Sequence, residues 1–374
     1  MNHERTNILH IIESLDGFSG GPIKIFEDEY YQSKNFRWFF ICLERLGYGG
    51  EKYRAQGFDI ELVKRNRFDP RIIYDIVRFI KKNNISVVCT HFLRASIWGR
   101  IAAILAQKPS IMFEHGIVRH ESFPYLQIDR FLSRFATLYF ANSNTTAKHV
   151  MNILGVQERK IRIGYPHVTF KPKSRVHRND NVFLIGNVAG LNHYKGHDTL
   201  LYAFKDFLSQ VPNSELHICG DGPLRSDLDE LSRSLHIESN VTFHGKREDI
   251  NDFLAQLDLY VFPSVSEGFG IAVVEAMLTG LPVICSDADA LPEVIEREKT
   301  GLIFSVNSRG ELTKAIERLY ENRDLAQRLA SNAQKEAVRR FCEENKNDLL
   351  NVYQEAIDIY AARRVSQKDR YGKS

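Results

Sequence analysis

Two carboxylates, Glu267 and Glu275, stand in a stretch of small, apolar and turn-forming residues running from Phe262 to Ser286. Glu275 is flanked by Val273, Val274, Ala276 and Met277. A carboxylate among such neighbours loses hydration unless it accepts hydrogen bonds, and ligand hydroxyls are suitable donors. Glu267 precedes Gly268, Phe269 and Gly270, whose amides, at the start of a helix, favour a phosphate nearby. Taken singly, each glutamate has a plainer explanation: a helix-start carboxylate at 267, a buried structural acceptor at 275. A second glycine-rich turn, Asp16 to Pro22 with Gly20 and Gly21, follows the first apolar run. Strand, glycine loop and helix let backbone approach a phosphate, although a tight connection uses the same residues. The turn is not Gly-x-Gly-x-x-Gly, and no acidic residue ends the second strand at the dinucleotide spacing, which leaves a nicotinamide dinucleotide weakly supported. His193 and His197 have a spacing that invites a metal, but a lysine and a glycine separate them and no carboxylate accompanies them.

The elements that position these residues are legible from periodicity. Around the glutamates the pattern predicts a strand over 259–262, a loop over 263–268, a helix over 271–278 ended by Gly280, and a buried strand from Val283. In the first half, strands are expected over 7–13, 38–42, 60–63, 85–90, 111–114 and 137–141. Between the third and fourth of these, Asp69 caps and Pro70 opens a helix carrying the stripe Ile72, Ile73, Ile76, Val77 and Ile80. Strands alternating with such helices imply a parallel sheet, and ligands gather outside the carboxyl ends of its strands. His91 and His115 fall at that edge, as ligand contacts or as ordinary loop histidines. The polar stretch 171–180 reads as a linker, and a new strand at 182–186 restarts the pattern. Helices are expected over 309–320, 324–340 and 345–363, with a disordered tail after Arg364.

On the Glu267-Gly-Phe-Gly270, Glu275-Ala-Met277 and Gly280-Leu-Pro-Val-Ile284 run, the chain resembles the retaining glycosyltransferases of family 4. The resemblance implies an α/β fold of two Rossmann-like doubly wound domains facing across a cleft, the GT-B arrangement. The acceptor-side domain is then expected over 1–172, with a crossover helix at about 345–364, and the donor domain over 181–344. By the resemblance, Glu267 faces the transferred sugar and Glu275 holds the ribose hydroxyls. His115 faces the donor sugar, and Lys195, followed by Gly196, binds the diphosphate and steadies charge on the departing nucleotide. Gly20, Gly21, Gly190, Gly220, Gly222, Lys246, Phe269, Gly270 and Ile271 complete the donor-binding positions implied. The pattern breaks at one point: a diphosphate-binding arginine common five or six residues before the lysine is replaced by Gly190 and Ala189. Asp287 and Asp289 form an Asp-x-Asp in a loop with no metal role in the family, so no metal and no other cofactor is expected. The match is strong from about Val182 to Phe304 and thin before it. A nucleotide-sugar epimerase or phosphorylase of the same fold, and a non-catalytic sugar-nucleotide-binding or scaffold protein, remain the competing readings.

Composition frames these readings. The chain has 374 residues, 43% hydrophobic and 26% charged, enough for two α/β domains and typical of a soluble globular protein. No apolar run reaches spanning length, and the first residues lead into a strand without a signal peptide. Five scattered cysteines, without Cys-x-x-Cys, suit a reducing cytoplasm. The net charge of +3 conceals an asymmetry: residues 1–175 hold 27 Lys and Arg against 16 Asp and Glu, and the remainder is acidic. A basic half suggests an anionic partner or only a solvated surface. Nucleic-acid motifs are absent. The partners expected are therefore a nucleotide-sugar donor, a glycan or lipid-phosphate-linked acceptor and, peripherally, an anionic membrane at its cytoplasmic face. The stretch Arg119–Leu126 is where acceptor contact is expected, a plain surface loop being the alternative.

Overall fold

Strand parity organises the first half of the chain. In a computed structural model describing residues 5–15, 33–66, 68–116, 123–175, 181–344 and 348–371, β1 (Thr6–Ser14) sends Ile8 and Ile12 to one face of a sheet and Leu9 and Ile11 to the other. Both faces are buried, as a parallel sheet requires. β2 (Phe36–Arg45), β3 (Asp59–Leu62), β4 (Val87–His91), β5 (Ser110–Glu114), β6 (Leu138–Ala141) and β7 (Ile161–Ile163) complete it in the order β3-β2-β1-β4-β5-β6-β7, all parallel among the described residues. One face packs on the helices Arg71–Lys82 and Leu93–Leu105. The other takes Leu349, Val352, Tyr353 and Ala356 from the last helix, Asp348–Tyr371. In the helix Arg71–Lys82 the expected stripe is buried at Ile72, Ile76 and Ile80, and Asp69 Oδ1 accepts from Arg71 N at 3.0 Å.

The second half builds a six-stranded parallel sheet from β8 (Phe183–Val188), β9 (Ser214–Cys219), β10 (Val241–Gly245), β11 (Leu259–Phe262), β12 (Val283–Ser286) and β13 (Leu302–Phe304), ordered β10-β9-β8-β11-β12-β13. Leu200, Phe204 and Phe207 of the helix His197–Gln210 join Ile185, Leu216, Val261 and Ile284 in its core. The chain divides into two compact units, Met1–Tyr165 with Lys346–Ser374, and Pro166–Asn345. In each unit the strand order reverses beside the first strand, at β1/β4 and at β8/β11, and at such points loops diverge and leave a crevice.

The helix Ile271–Leu278 and the strand Leu259–Phe262 have the expected bounds. The stretch expected as a linker is held against the second unit as far as Arg175: Lys173 pairs with Asp252, and Arg175 Nη2 donates to Leu257 O. Residues 176–180 lie outside the described residues. The helix expected over 324–340 runs as Arg323–Ala337 and widens into a π-helical turn, Val338–Glu343. That turn carries Phe341, whose buried ring meets Phe269 edge-on at 5.3 Å. The tail expected to be disordered after Arg364 continues the last helix to Tyr371, where Gln, Lys and Arg favour helix.

Candidate functional site

At the β8/β11 switch the second unit knits three loops together. Gly220 follows β9 with φ +147°, and a Cβ there would lie 1.9 Å from Ala189 O. Glycine therefore lets the β8 and β9 loops touch backbone to backbone. Gly220 N donates to Gly245 O and Asp221 Oδ1 accepts from Gly222 N, both at 2.8 Å, while Leu191 N donates to Asp221 O at 3.1 Å. The β8 loop then meets the β11 loop. The Tyr194 carbonyl accepts from Val265 N (2.8 Å), Ser266 N (3.3 Å) and Ser264 Oγ (3.0 Å). Gly196, at φ +66°, passes so close to Pro263 that a Cβ would sit 2.0 Å from its carbonyl oxygen.

This knitting places Lys195 and Glu267, far apart in sequence, in one ion pair, with Nζ 2.5 Å from Oε2 and each side chain 16% exposed. The ammonium lies 5.3 Å from the Tyr194 ring centroid and 5.4 Å from that of Phe262, so cation–π attraction adds to the pair. Asp289, in the left-handed region at φ +43°, accepts from Ser266 Oγ at 2.7 Å and Glu267 N at 3.0 Å. Glu267 is thereby fixed from both backbone and side chain. Gly270 (φ +96°) starts the helix Ile271–Leu278 without a side-chain cap, leaving its first amides as uncapped donors. Phe269 contributes backbone to this loop, since its side chain is buried against Phe341.

Glu275 is 7% exposed, one turn into that helix. Its charge, after burial itself, helps push the Tyr260 hydroxyl well above the ordinary tyrosine range, and that hydroxyl donates to Val188 O at 3.3 Å. Lys246 is exposed directly after β10, and Gly190 and Gly222 are partly exposed. His193 and His197 diverge: His193 is exposed, and buried His197 places Nε2 3.2 Å from Asn187 Oδ1. Burial lowers the His197 pKa to about 4. Among the described residues no cluster of three or more His, Cys, Asp and Glu is arranged to hold a metal.

In the first unit, His91 ends β4 and His115 directly follows β5. They belong to a larger group. His91 Nδ1 lies 2.7 Å from His115 Nε2, His91 Nε2 lies 2.8 Å from His10 Nδ1, and His10 Nε2 lies 3.1 Å from Tyr353 Oη. Asn142 Nδ2 donates to His115 O, tying the β5 loop to the end of β6. Burial lowers the pKa of His10 to about 3 and of His115 to about 4, and that of His91 well below the ordinary value. Burial also raises the Glu114 carboxyl to about 8, with Asp129 adding to the shift; Asp129 itself is paired to the buried Arg100. Gly20, Gly21 and residues 119–122, half of the stretch expected to meet the acceptor, lie outside the described residues.

Sequence reasoning missed His10, Tyr353, Tyr194 and the anchoring role of Asp289. His10 alone carried a signal, a polar residue at the centre of an otherwise apolar strand. The contacts of the other three join segments remote in sequence.

Comparison with known proteins gives the family and the fold. Residues 30–169 match the family described as Glycosyltransferase Family 4, and residues 169–336 match Glycosyl transferases group 1. The chain belongs to the family 4 glycosyltransferases, of GT-B fold, with two Rossmann-like domains. An uncharacterized glycosyltransferase of Haemophilus influenzae is 26% identical over 223 residues, 58% of this chain and 63% of that protein. The chain thus spans just under two thirds of that relative's length. The UDP-Gal:alpha-D-GlcNAc-diphosphoundecaprenol alpha-1,3-galactosyltransferase of Escherichia coli is 25% identical over 353 residues, 86% of this chain and 90% of the enzyme. Among solved structures, Anabaena HepE in complex with UDP-glucose superposes with a TM-score of 0.80 at 21% identity, covering 96% of this chain and all of the other.

The lowered histidine pKa values have a consequence for stability. Below about pH 6.5 the unfolded chain binds protons that the three folded histidines refuse, and this outweighs the opposite effect of the single raised Glu114 carboxyl, so stability of the first unit falls as pH falls toward 4. Both tryptophans, Trp38 and Trp98, lie in that unit, so their fluorescence reports on it alone. Urea titration should find wild type less stable at pH 5 than at pH 7.5. His10→Phe should shrink that difference by up to about 2 kcal/mol; an unchanged difference would show that His10 takes up a proton in the folded state.

Proposed function

We propose that the chain transfers a sugar, with retention of anomeric configuration and without a metal ion, from a nucleoside diphosphate sugar to a lipid-phosphate-linked or surface-glycan acceptor. The observation that carries the proposal is the Lys195–Glu267 pair, set beside the uncapped start of the helix Ile271–Leu278. An ammonium held by one carboxylate can exchange that partner for a diphosphate, and helix-start amides favour the same anion. Lys195 and the Phe269, Gly270 and Ile271 amides then hold the diphosphate. As the anomeric C–O bond breaks, its electron pair passes to the diphosphate oxygen they stabilise. The acceptor oxygen forms the new bond on the same face of the sugar, and its proton passes to a departing phosphate oxygen. Glu267 and His115 contact the sugar, Glu275 takes the ribose hydroxyls, and Gly190, Gly220, Gly222 and Lys246 border the nucleotide. The HepE complex with UDP-glucose supports a uridine nucleotide as the first donor to try.

The acceptor class draws on two observations. The Escherichia coli relative is named for a diphosphoundecaprenol-linked acceptor. In the basic half, Phe131 and Phe135 are 56% and 51% exposed with rings 5.5 Å apart, beside exposed Ile128, Arg130 and Arg134. Aromatic and basic side chains together suit the surface of an anionic bilayer. Among the described residues no helix is long and apolar enough to cross a membrane, so contact of this kind would be peripheral, at the cytoplasmic face.

Release of nucleoside diphosphate on mixing UDP-sugars with lipid-linked acceptors is the direct test, and turnover should persist in excess EDTA. Loss of turnover in chelator, restored by magnesium or manganese, would overturn the metal-free assignment, and binding without turnover across a broad acceptor panel would favour a non-catalytic protein. Glu275→Gln should weaken UDP binding by about 1–3 kcal/mol, the scale of a charge-assisted hydrogen bond. Equal calorimetric affinities would remove Glu275 from the ribose site. Vesicles containing anionic lipid should bind the protein at low salt and release it above physiological strength, where the screening length drops below about 8 Å. Equal, weak binding to neutral and anionic vesicles would favour a water-soluble acceptor.

A further inference from the structure

The four rings Tyr353, His10, His91 and His115 form one continuous hydrogen-bonded column in the first unit. It steps from the last helix to β1, β4 and the end of β5, strands that are neighbours in the sheet. The imidazoles are also stacked: His10 and His91 have centroids 5.1 Å apart at 28°, His91 and His115 5.0 Å apart at 19°. Phe40 and Phe113 pack on them, and His10 and His91 have no solvent exposure.

A neutral imidazole has one N–H and one bare nitrogen. His10 and His91 each use both nitrogens inside the column, so each must donate with one and accept with the other. Two N–H groups, or two lone pairs, would otherwise face each other in a buried place, at a cost the fold would not sustain. The column therefore has only two self-consistent states, every histidine protonated at Nδ1 or every one at Nε2. A second proton on His91 would break both patterns, and burial opposes one on any of the three rings. The choice between the two states falls to the end of the chain. A phenol is a better donor than acceptor, because its oxygen lone pair is delocalised into the ring. Tyr353 O–H donating to His10 Nε2 sets His10 Nδ1–H toward His91 Nε2, and His91 Nδ1–H toward His115 Nε2.

We propose that the last helix, through Tyr353, His10 and His91, fixes the proton of His115 on Nδ1 and commits its Nε2 as an acceptor. Tyr353, His10 and His91 are positioning residues. His115 consequently offers a ligand an N–H donor and no lone pair. In the glycosyl-transfer reading, on which this consequence rests, it hydrogen-bonds to a sugar oxygen and does not act as a base. Placement of the proton itself does not depend on that reading.

The test uses the full chain labelled with 15N-histidine. Long-range 1H–15N spectra distinguish protonated from bare ring nitrogens without any donor present. His115→Asn, His91→Asn and His10→Asn, by loss of signals, assign the three rings. The expected wild-type result is protonated Nδ1 and bare Nε2 on all three, unchanged from pH 8 to pH 5.5. Tyr353→Phe, which removes one oxygen and keeps the ring, should move the two His115 nitrogen shifts toward each other as both states become populated. His10→Phe, cutting the column one ring further on, should do the same if Tyr353→Phe does not fold. A wild-type His115 protonated at Nε2, or His115 shifts indifferent to the folded variants, would overturn the proposal. Should the tautomer be as expected and His115→Asn turn over normally, the proton placement stands and the sugar contact fails. An essential His115 with the opposite tautomer sinks the placement alone.

Discussion

A parallel sheet covered on both faces has no water along its length, so polar chemistry is confined to the ends of its strands unless every buried polar atom finds a partner. Both units of this protein are governed by that constraint. In the second unit it is obeyed simply. Asn187 near the end of β8 is the buried polar residue of its strand, and it is satisfied by Val261 O and His197. The charged residues, Lys195 and Glu267, wait until the chain has left β8 and β11. In the first unit the constraint is met by a series of hydrogen-bonded side chains instead: His10 sits in mid-strand, and the column through His91 to His115 carries its polarity to the sheet edge.

The two switch points differ in electrostatic character for the same reason. At β8/β11 an ion pair is kept because both members are partly solvated and further held, the ammonium by two aromatic rings and the carboxylate's backbone by Asp289. At β1/β4 His10 and His91 are fully buried and His115 partly so, and burial disfavours charge: the three imidazole pKa values are lowered, and the Glu114 carboxyl, next to His115 in sequence, is raised. An anionic ligand suits the first environment, and neutral hydroxyl groups suit the second.

Glycine matters at two contacts where loops must cross at backbone distance. Gly196 against Pro263 and Gly220 against Ala189 allow approaches that any Cβ would forbid. They bring the β8 loop against those of β9 and β11, and without that approach Lys195 would not reach Glu267.

Local pattern determined a large part of this protein. The helix Ile271–Leu278, the strand before it and the apolar stripe of Arg71–Lys82 follow from periodicity and turn residues, which act within a few positions. The Glu267–Glu275 spacing, and the glycines that must flank it, were likewise visible because one loop and one helix contain them. The tertiary structure decided what depends on residues meeting across the sheet. Lys195 and Glu267 are 72 positions apart, and His10 and Tyr353 are 343 apart. No periodicity spans such distances, because partner choice there is set by strand order and by the need to satisfy buried polar atoms. For that reason His10 passed unremarked in an apolar strand, and its hydrogen bonds to His91 and to a tyrosine of the last helix emerged only when β1, β4 and that helix were brought together.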